Sequence, residues 1–406
     1  MNVRANIPAA PDDPGKRIVR QRDIINRRAL AEEIEELIAE HGMPDARSKI
    51  LPLLQNALSD GRAEISRRLL KRPSAGHEMA AAQSFLVDQL VRLIHDIAVQ
   101  HQYPVGNPSS GERIAVMAVG GYGRGEMAPH SDVDIAFLTP HKATSWTEQV
   151  VEAMLYWLWD LGLKVGQSSR SIDEMVRMAK SDLSIRTALL EGRYIWGDTG
   201  VYEEAKHRFF QDVVAGTDST FVAEKLAERD LRHKKMGDSR YVVEPNVKEG
   251  KGGMRDLQTL YWIGKYIHQV ASAEDLVEVG LLTADEFKRF RKAANFLWAV
   301  RCHMHDMTGR AEDRLTFDLQ PEVARRMHFA DRPGKSSVER FMQYYFLNAK
   351  VVGNLTGVFL AHLDETHNAG VRRFLPSLTR KPKKLKGFVL DRGRLALPDE
   401  GFFEED

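Results

Sequence analysis

The sequence is short of several things. Among 406 residues there is one cysteine, Cys302. It cannot form an internal disulfide, and cysteine-based zinc sites are excluded. A reducing compartment fits a single thiol best, so a cytoplasmic location is expected. There is no run of about 18 apolar residues, and no membrane-spanning helix is expected. The first twenty residues hold an Ala-Pro-Asp-Asp-Pro-Gly stretch and scattered arginines, without the apolar centre of a secretory signal. An excess of one charge is also missing: 58 Lys+Arg stand against 57 Asp+Glu, a net charge of +1. No global field favours nucleic acid or an anionic membrane, so any basic site is local. What is present is ordinary: 43% hydrophobic and 28% charged residues, enough apolar material for a sizeable core. The length suggests two or three domains.

Periodicity divides the chain. Residues 1–27 read as a flexible leader. Leu30, Ile34, Leu37 and Ile38 mark one helix, residues 46–71 a second, and residues 79–100 a third. Together they make a helical segment over 28–110. At residue 113 the texture changes. Ile114 to Val119 is a short apolar run that reads as a buried strand. Val133, Ile135 and Phe137 alternate with Asp132, Asp134 and Ala136 as a second strand, 147–160 reads as a helix, and 163–171 as a third strand. Helical patterns return at 256–272, 284–307 and 337–362. Residues 372–386 carry seven basic residues and no acid, and read as a linker. The fold class is therefore α+β: a small mixed sheet over 111–256, combined with a large helical part over 257–370, before a basic segment at 371–406. The end reads as a chain cut at a domain boundary.

The informative segment runs from Gly120 to Asp134: Gly-Gly-Tyr-Gly-Arg-Gly-Glu-Met-Ala-Pro-His-Ser-Asp-Val-Asp. It is not a dinucleotide-binding fingerprint, because Glu126 stands where the third glycine belongs. It is not a phosphate loop of the Walker type, because Glu126 also stands where lysine belongs. What remains is a glycine pair after one strand and Asp-x-Asp on the next. Residues two apart in a strand share a face, so Asp132 and Asp134 present two carboxylates side by side. Like charges that close repel, and a divalent cation removes that cost. Glycines at the preceding turn let backbone N–H groups approach phosphate. An isolated Asp-x-Asp is usually a solvated strand edge, and an isolated glycine loop usually a turn. In this order on successive strands they form a layout for metal-assisted nucleotidyl transfer.

A second constellation follows at 244–258: Glu-Pro-Asn-Val-Lys-Glu-Gly-Lys-Gly-Gly-Met-Arg-Asp-Leu-Gln. Lys248, Lys251 and Arg255 sit among glycines just before a helix, an arrangement that favours phosphate. The competing reading is a surface turn with Asp256 capping the helix.

These two strings resemble a known family. Glycine pair and Asp-x-Asp together are similar to the polymerase-β-type nucleotidyltransferases. The longer string, with the Glu-Pro-Asn-h-Lys-Glu-Gly-x-Gly-Gly-h-Arg-Asp-h-Gln segment (h is apolar), resembles the bacterial PII uridylyltransferase/uridylyl-removing enzymes. One departure is Lys251, where the family more often has proline. The resemblance covers about residues 28–400. It implies transfer of UMP from UTP to a tyrosine of the signal protein PII, with release of pyrophosphate. It implies Mg²⁺, two ions with Mn²⁺ able to substitute, on the catalytic pair Asp132 and Asp134. It implies nucleotide contacts from Gly120, Gly121, Gly123, Arg124, Ser131, Lys248, Lys251, Gly252, Gly253 and Arg255. A third carboxylate is open among Asp256, Asp173 and Glu249, and no general base is identified. The Arg310-Ala311-Glu312-Asp313-Arg314-Leu315 stretch also resembles the family and is given no catalytic role.

The family continues into a hydrolase domain of the His-Asp type and glutamine-sensing domains, which are not recognisable here. His95-Asp96 and His305-Asp306 read as polar positions on amphipathic helices. Uridylyl removal and direct glutamine regulation are thus not expected of this chain. Rival readings are a glutamine synthetase-type adenylyltransferase, a non-catalytic regulatory module that keeps the fold, and an RNA-directed transferase, which the neutral balance disfavours.

Overall fold

The computed structural model describes residues 14–106 and 109–371, and three short strands beyond. Residues 1–13 of the expected leader and, within the basic segment, residues 372–382, 386–387, 392–393 and 397–406 lie outside the described residues.

Three helices open the chain: α1 (Arg27–His41), α2 (Met43–Lys71) and α3 (Gly76–Asp96). They lie close to the expected ranges. α3 is buried nearly all round, from Met79 to Ile94. Small residues at its start permit this. A Cβ on Gly76 would stand 2.1 Å from the backbone nitrogen of Ala299, on a helix described below.

The sheet comes next. β1 (Ala115–Ala118) leads into the single turn α4 (Gly120–Gly123), then β2 (Val133–Thr139), α5 (Ser145–Asp160) and β3 (Val165–Ser171). Two helices, α6 (Ile172–Ser181) and α7 (Leu183–Leu190), precede β4 (Arg193–Gly197). The order is β3-β2-β1-β4; β1 is antiparallel to β2 and β4, and β2 is parallel to β3. A parallel pair needs a crossover, and α5 supplies it. The fourth strand was not anticipated: Arg193-Tyr-Ile-Trp-Gly is too short and too mixed to stand out by alternation. Ala115, Met117, Ala136 and Leu138 share one face and pack on α6 and on α8 (Thr199–Phe209), where Phe209, Phe210 and Val213 extend the core. By the same alternation, Asp132 and Asp134 belong to that face, at the strand's entry.

The remainder is helical: α9 (Asp218–Lys235), α10 (Met254–His268), α11 (Asp275–Glu278), α12 (Ala284–Thr308), α13 (Gln320–Arg326) and α14 (Ser337–Val371). Phe221 of α9 stacks on Tyr266 of α10, with centroids 3.8 Å apart. One compact unit runs to Phe359 and a second from Leu360 to Asp406. The second holds the end of α14 and a small antiparallel sheet, β5 (Lys383–Leu385), β6 (Phe388–Asp391) and β7 (Arg394–Ala396). The linker expected at 372–386 therefore ends in a strand. Among the described residues no helix is long and apolar enough to cross a membrane.

Candidate active site

The glycine loop is set by conformations that only glycine adopts easily. Gly120 has φ +59° and Gly125 φ +70°. Gly123 meets the chain after α7 so closely that a Cβ would lie 2.2 Å from the Glu191 carbonyl oxygen. Arg193 of β4 clamps the loop. Its guanidinium donates to the carbonyls of Tyr122 (3.1 Å) and Gly123 (3.2 Å) and to both oxygens of the buried Asp88 (2.8 and 3.0 Å).

Asp132 is exposed and Asp134 is half-buried on β2. Among the described residues, neither carboxylate has a hydrogen-bond donor or an ion-pair partner. Burial, then the charge of Asp132, push the Asp134 carboxyl above its ordinary value; Lys248 opposes them. Such a pair suits a divalent cation, which would offset the repulsion without a proton. The side-chain oxygen of Ser131 is buried without a hydrogen-bond partner, a further unmet polar group beside the pair.

Sequence reasoning missed Gly166. It lies directly opposite Asp134 in the β2–β3 register. A Cβ there would come within 2.4 Å of Asp134 Oδ1, whereas one on Gly120 would lie 3.5 Å from Oδ2. A glycine inside a strand is the available signal of such a close approach. Because the clash is with the tip of a side chain, Gly166→Ala should turn Asp134 aside and spare the fold. Activity should fall about tenfold, since small misplacements of reacting groups are costly, with stability changed by less than about 1 kcal/mol. Parallel turnover and thermal-melting measurements check this; full activity would remove the role given to Gly166.

The second motif does reach the first, although more than a hundred residues separate them. It folds as a hydrogen-bonded loop: Asn246 Oδ1 accepts from the N–H groups of Lys248 (3.0 Å) and Glu249 (2.6 Å), and Gly253 N–H donates to the Gly250 carbonyl (2.8 Å). Gly252 has φ +81° and lies against α14, where a Cβ would be 2.6 Å from the Ala349 carbonyl. Lys248 is the member whose charge acts on Asp134, lowering its pKa. Burial, then Arg301 and Arg255, lower the Lys248 pKa, and Asp313 and Glu249 counter them.

The other charged candidates are already engaged. Lys251 Nζ binds Asp238 (2.7 Å). Arg255 binds Glu249 (2.9 Å) and Gln258 (3.0 Å). Arg124 is buried between Glu126 (3.0 Å) and Glu191 (2.5 Å). Asp256 holds Arg232 (2.8 Å), His233 (2.8 Å) and the N–H of Gly252 (2.8 Å), so it pins the glycine loop to α9. Asp173 pairs with Arg208 (3.2 Å). Among the described residues no group of three His, Cys, Asp or Glu is placed to hold a metal. The third carboxylate considered above is not gathered with Asp132 and Asp134: Asp256, Asp173 and Glu249 each satisfy a cation of the chain itself.

The Arg310–Leu315 stretch has a larger part than its sequence suggests. Asp313 binds Arg301 (2.7 Å) and His305 Nε2 (3.1 Å) of α12, and lies 4.0 Å from Lys248 Nζ. Its carbonyl accepts from Val247 N–H (2.8 Å). The other nitrogen of His305 donates to the Pro129 carbonyl (2.6 Å), three residues before Asp132. One carboxylate thus joins the lysine loop, α12 and the segment leading to the aspartate pair. Asp306, next to His305, instead binds Arg326 (2.6 Å), as a polar helix residue does.

Known families match both stretches of the chain that carry the motifs. The nucleotidyltransferase domain family matches residues 107–195, and the GlnD PII-uridylyltransferase family matches residues 220–360. A bifunctional uridylyltransferase/uridylyl-removing enzyme of Novosphingobium aromaticivorans is 65% identical over 390 residues, 96% of this chain and 43% of the relative. That of Erythrobacter litoralis is 60% identical over 392 residues, 96% of this chain and 42% of the relative. That of Rhodospirillum rubrum is 51% identical over 390 residues, with shares of 96% and 42%. Nucleotidyltransferase domains generally work with a divalent metal. The chain spans somewhat less than half the length of these curated relatives, and over that span it belongs to the bacterial PII uridylyltransferase/uridylyl-removing enzyme family.

Proposed function

We propose that this chain transfers UMP from UTP to a tyrosine of the PII signal protein, using Mg²⁺. The observation that carries the reading is Lys248, a cation from the second motif brought to the Asp132–Asp134 pair of the first. The phenolic oxygen forms a bond to the α-phosphorus while the bond from that phosphorus to the bridging oxygen breaks, and pyrophosphate leaves. Asp132 and Asp134 would hold the metal, which would supply charge stabilisation to the transition state. Gly120 and Gly121 let the backbone approach the phosphates, and Ser131 supplies a hydroxyl. Lys248 meets the charge that grows on pyrophosphate. Lys251, Arg255, Gly252, Gly253 and Arg124 serve by shaping the loops, through the partners named above. Asp256 fixes the second loop.

The test is incubation of the chain with PII, Mg²⁺ and labelled UTP, followed by tyrosine mapping, with labelled ATP in parallel. UMP on a PII tyrosine is expected. Label from ATP alone would favour an adenylyl transfer, and no transfer from either would remove the catalytic reading.

A further inference from the structure

A cavity of about 660 Å³ lies between α10 and α12, within the range of small-molecule sites, which is roughly 300–1,000 Å³. Protein interiors are normally packed to crystal density, so an opening of this size between two helices calls for an occupant. Its walls mix aromatic and charged side chains: Tyr261 comes from α10, and Phe287, Phe290 and Trp298 from α12. The hydroxyl of Tyr261 is committed to the Ala271 carbonyl (3.0 Å), which leaves its ring as wall.

One charge in this wall lacks a carboxylate partner, and its ammonium lies 5.7 Å from the centre of the Tyr261 ring. Lys265 is 4% exposed, and among the described residues no carboxylate lies within ion-pair distance of its ammonium. The charges that act on it are Glu191, Lys206 and Arg124, and Glu191 is already bound to Arg124. The lining carboxylates are otherwise spent. Glu126 holds Arg124, Glu78 holds Arg72, and Asp275 caps the N–H groups of Ala271 and Ser272 (2.9 Å each). Glu274 and Arg291 are both exposed lining residues. Burial, then Lys206 and Arg124, lower the Lys265 pKa to about 8, and Glu191 opposes them.

We propose that this cavity binds a small organic anion with a planar apolar body, its anionic group on Lys265 and its ring between Tyr261 and Trp298. Two sources share that chemistry. One is a nucleotide reaching in past Arg124, the candidate residue common to the glycine loop and the cavity wall. The other is a separate effector.

Anilinonaphthalene sulfonate, an aromatic anion that fluoresces on burial, is the probe. Titrated into the full chain, it should show one saturable site. Lys265→Met should weaken binding about tenfold, as expected for a charge-assisted contact. Ala294→Phe, which fills the cavity from α12, should abolish saturable binding. Far-UV circular dichroism confirms that each variant is folded, and Lys265→Met alone decides the matter if the larger residue does not fit. Equal affinity in the parent and Lys265→Met, or no saturable binding, overturns the proposal. Displacement of the probe by UTP assigns the site to the nucleotide, and persistence of the probe assigns it to an effector. Neither result depends on UMP transfer to PII.

Discussion

Asp134→Asn should cost the proposed UMP transfer about 10³-fold or more, roughly 4 kcal/mol of transition-state stabilisation, and should not cost stability. The second half of that expectation follows from the electrostatics. Burial and the neighbouring Asp132 push the Asp134 carboxyl above its ordinary value, so its ionised form is disfavoured in the metal-free fold. For a carboxylate raised in this way, the penalty is present at neutral pH and disappears as the pH falls and the group takes up a proton. The asparagine carries no such penalty. The metal-free variant should therefore melt no lower than the parent at pH 7, and any advantage should vanish below roughly pH 4, the ordinary aspartate range.

Mg²⁺ reverses the order. Bound between the two carboxylates, it stabilises the parent by mass action and leaves the variant little changed. Asp132→Asn should lose transfer to the same extent, because a single remaining carboxylate holds the cation poorly. Calorimetry with and without Mg²⁺, beside a UMP-transfer assay, separates these effects. Either variant retaining more than about a tenth of the activity would falsify the metal assignment.

Local regularity carried the sequence reading where it succeeded. Alternation of Val133, Ile135 and Phe137 with Asp132 and Asp134 places both carboxylates on one face whatever surrounds the strand. The glycine pair, the long helices and the small mixed sheet were legible for the same reason. What was not legible depends on pairing between distant residues. Nothing local in Lys251, Arg255 or Arg124 reveals that they are ion-paired with Asp238, Glu249 and Glu191, so the loop-bracing part of these three cations was not legible. Asp256 was considered both as a helix cap and as a metal ligand. It reaches the Gly252 N–H and the side chains of Arg232 and His233 of α9, an outcome set by the tertiary approach of α9 to α10. Gly166 illustrates the middle case. Its place inside a strand was a signal, but the partner it makes room for is fixed by a parallel register that a crossover conceals.

The joint between Asp313 and Lys248 leads to the second large effect. Lys248→Met should reduce transfer about 10²-fold, the scale of losing one charged group from a preorganised site. Asp313→Asn should reduce it about tenfold, the loss expected when a charge-assisted contact is weakened. The distinguishing readout is the pH profile. Burial, Arg301 and Arg255 already lower the Lys248 pKa, and Asp313 is the first group that holds it up. Removing the negative charge of Asp313 lowers it further, so the ammonium is lost earlier as pH rises. The alkaline limb of kcat should therefore move to lower pH in Asp313→Asn, and acidification should restore much of the activity. KM for PII should stay near the parent value. The double variant should be no worse than Lys248→Met alone, because the two residues then act as one unit. A general loss of stability predicts the opposite: losses that add, an unmoved pH limb and no recovery on acidification. In that event Asp313 would be a fold residue that happens to lie near the site. If instead the limb moves and the losses fail to add, the stretch from Arg310 to Leu315 gains the role its sequence did not suggest, which is to keep a half-buried lysine charged near a pair of carboxylates.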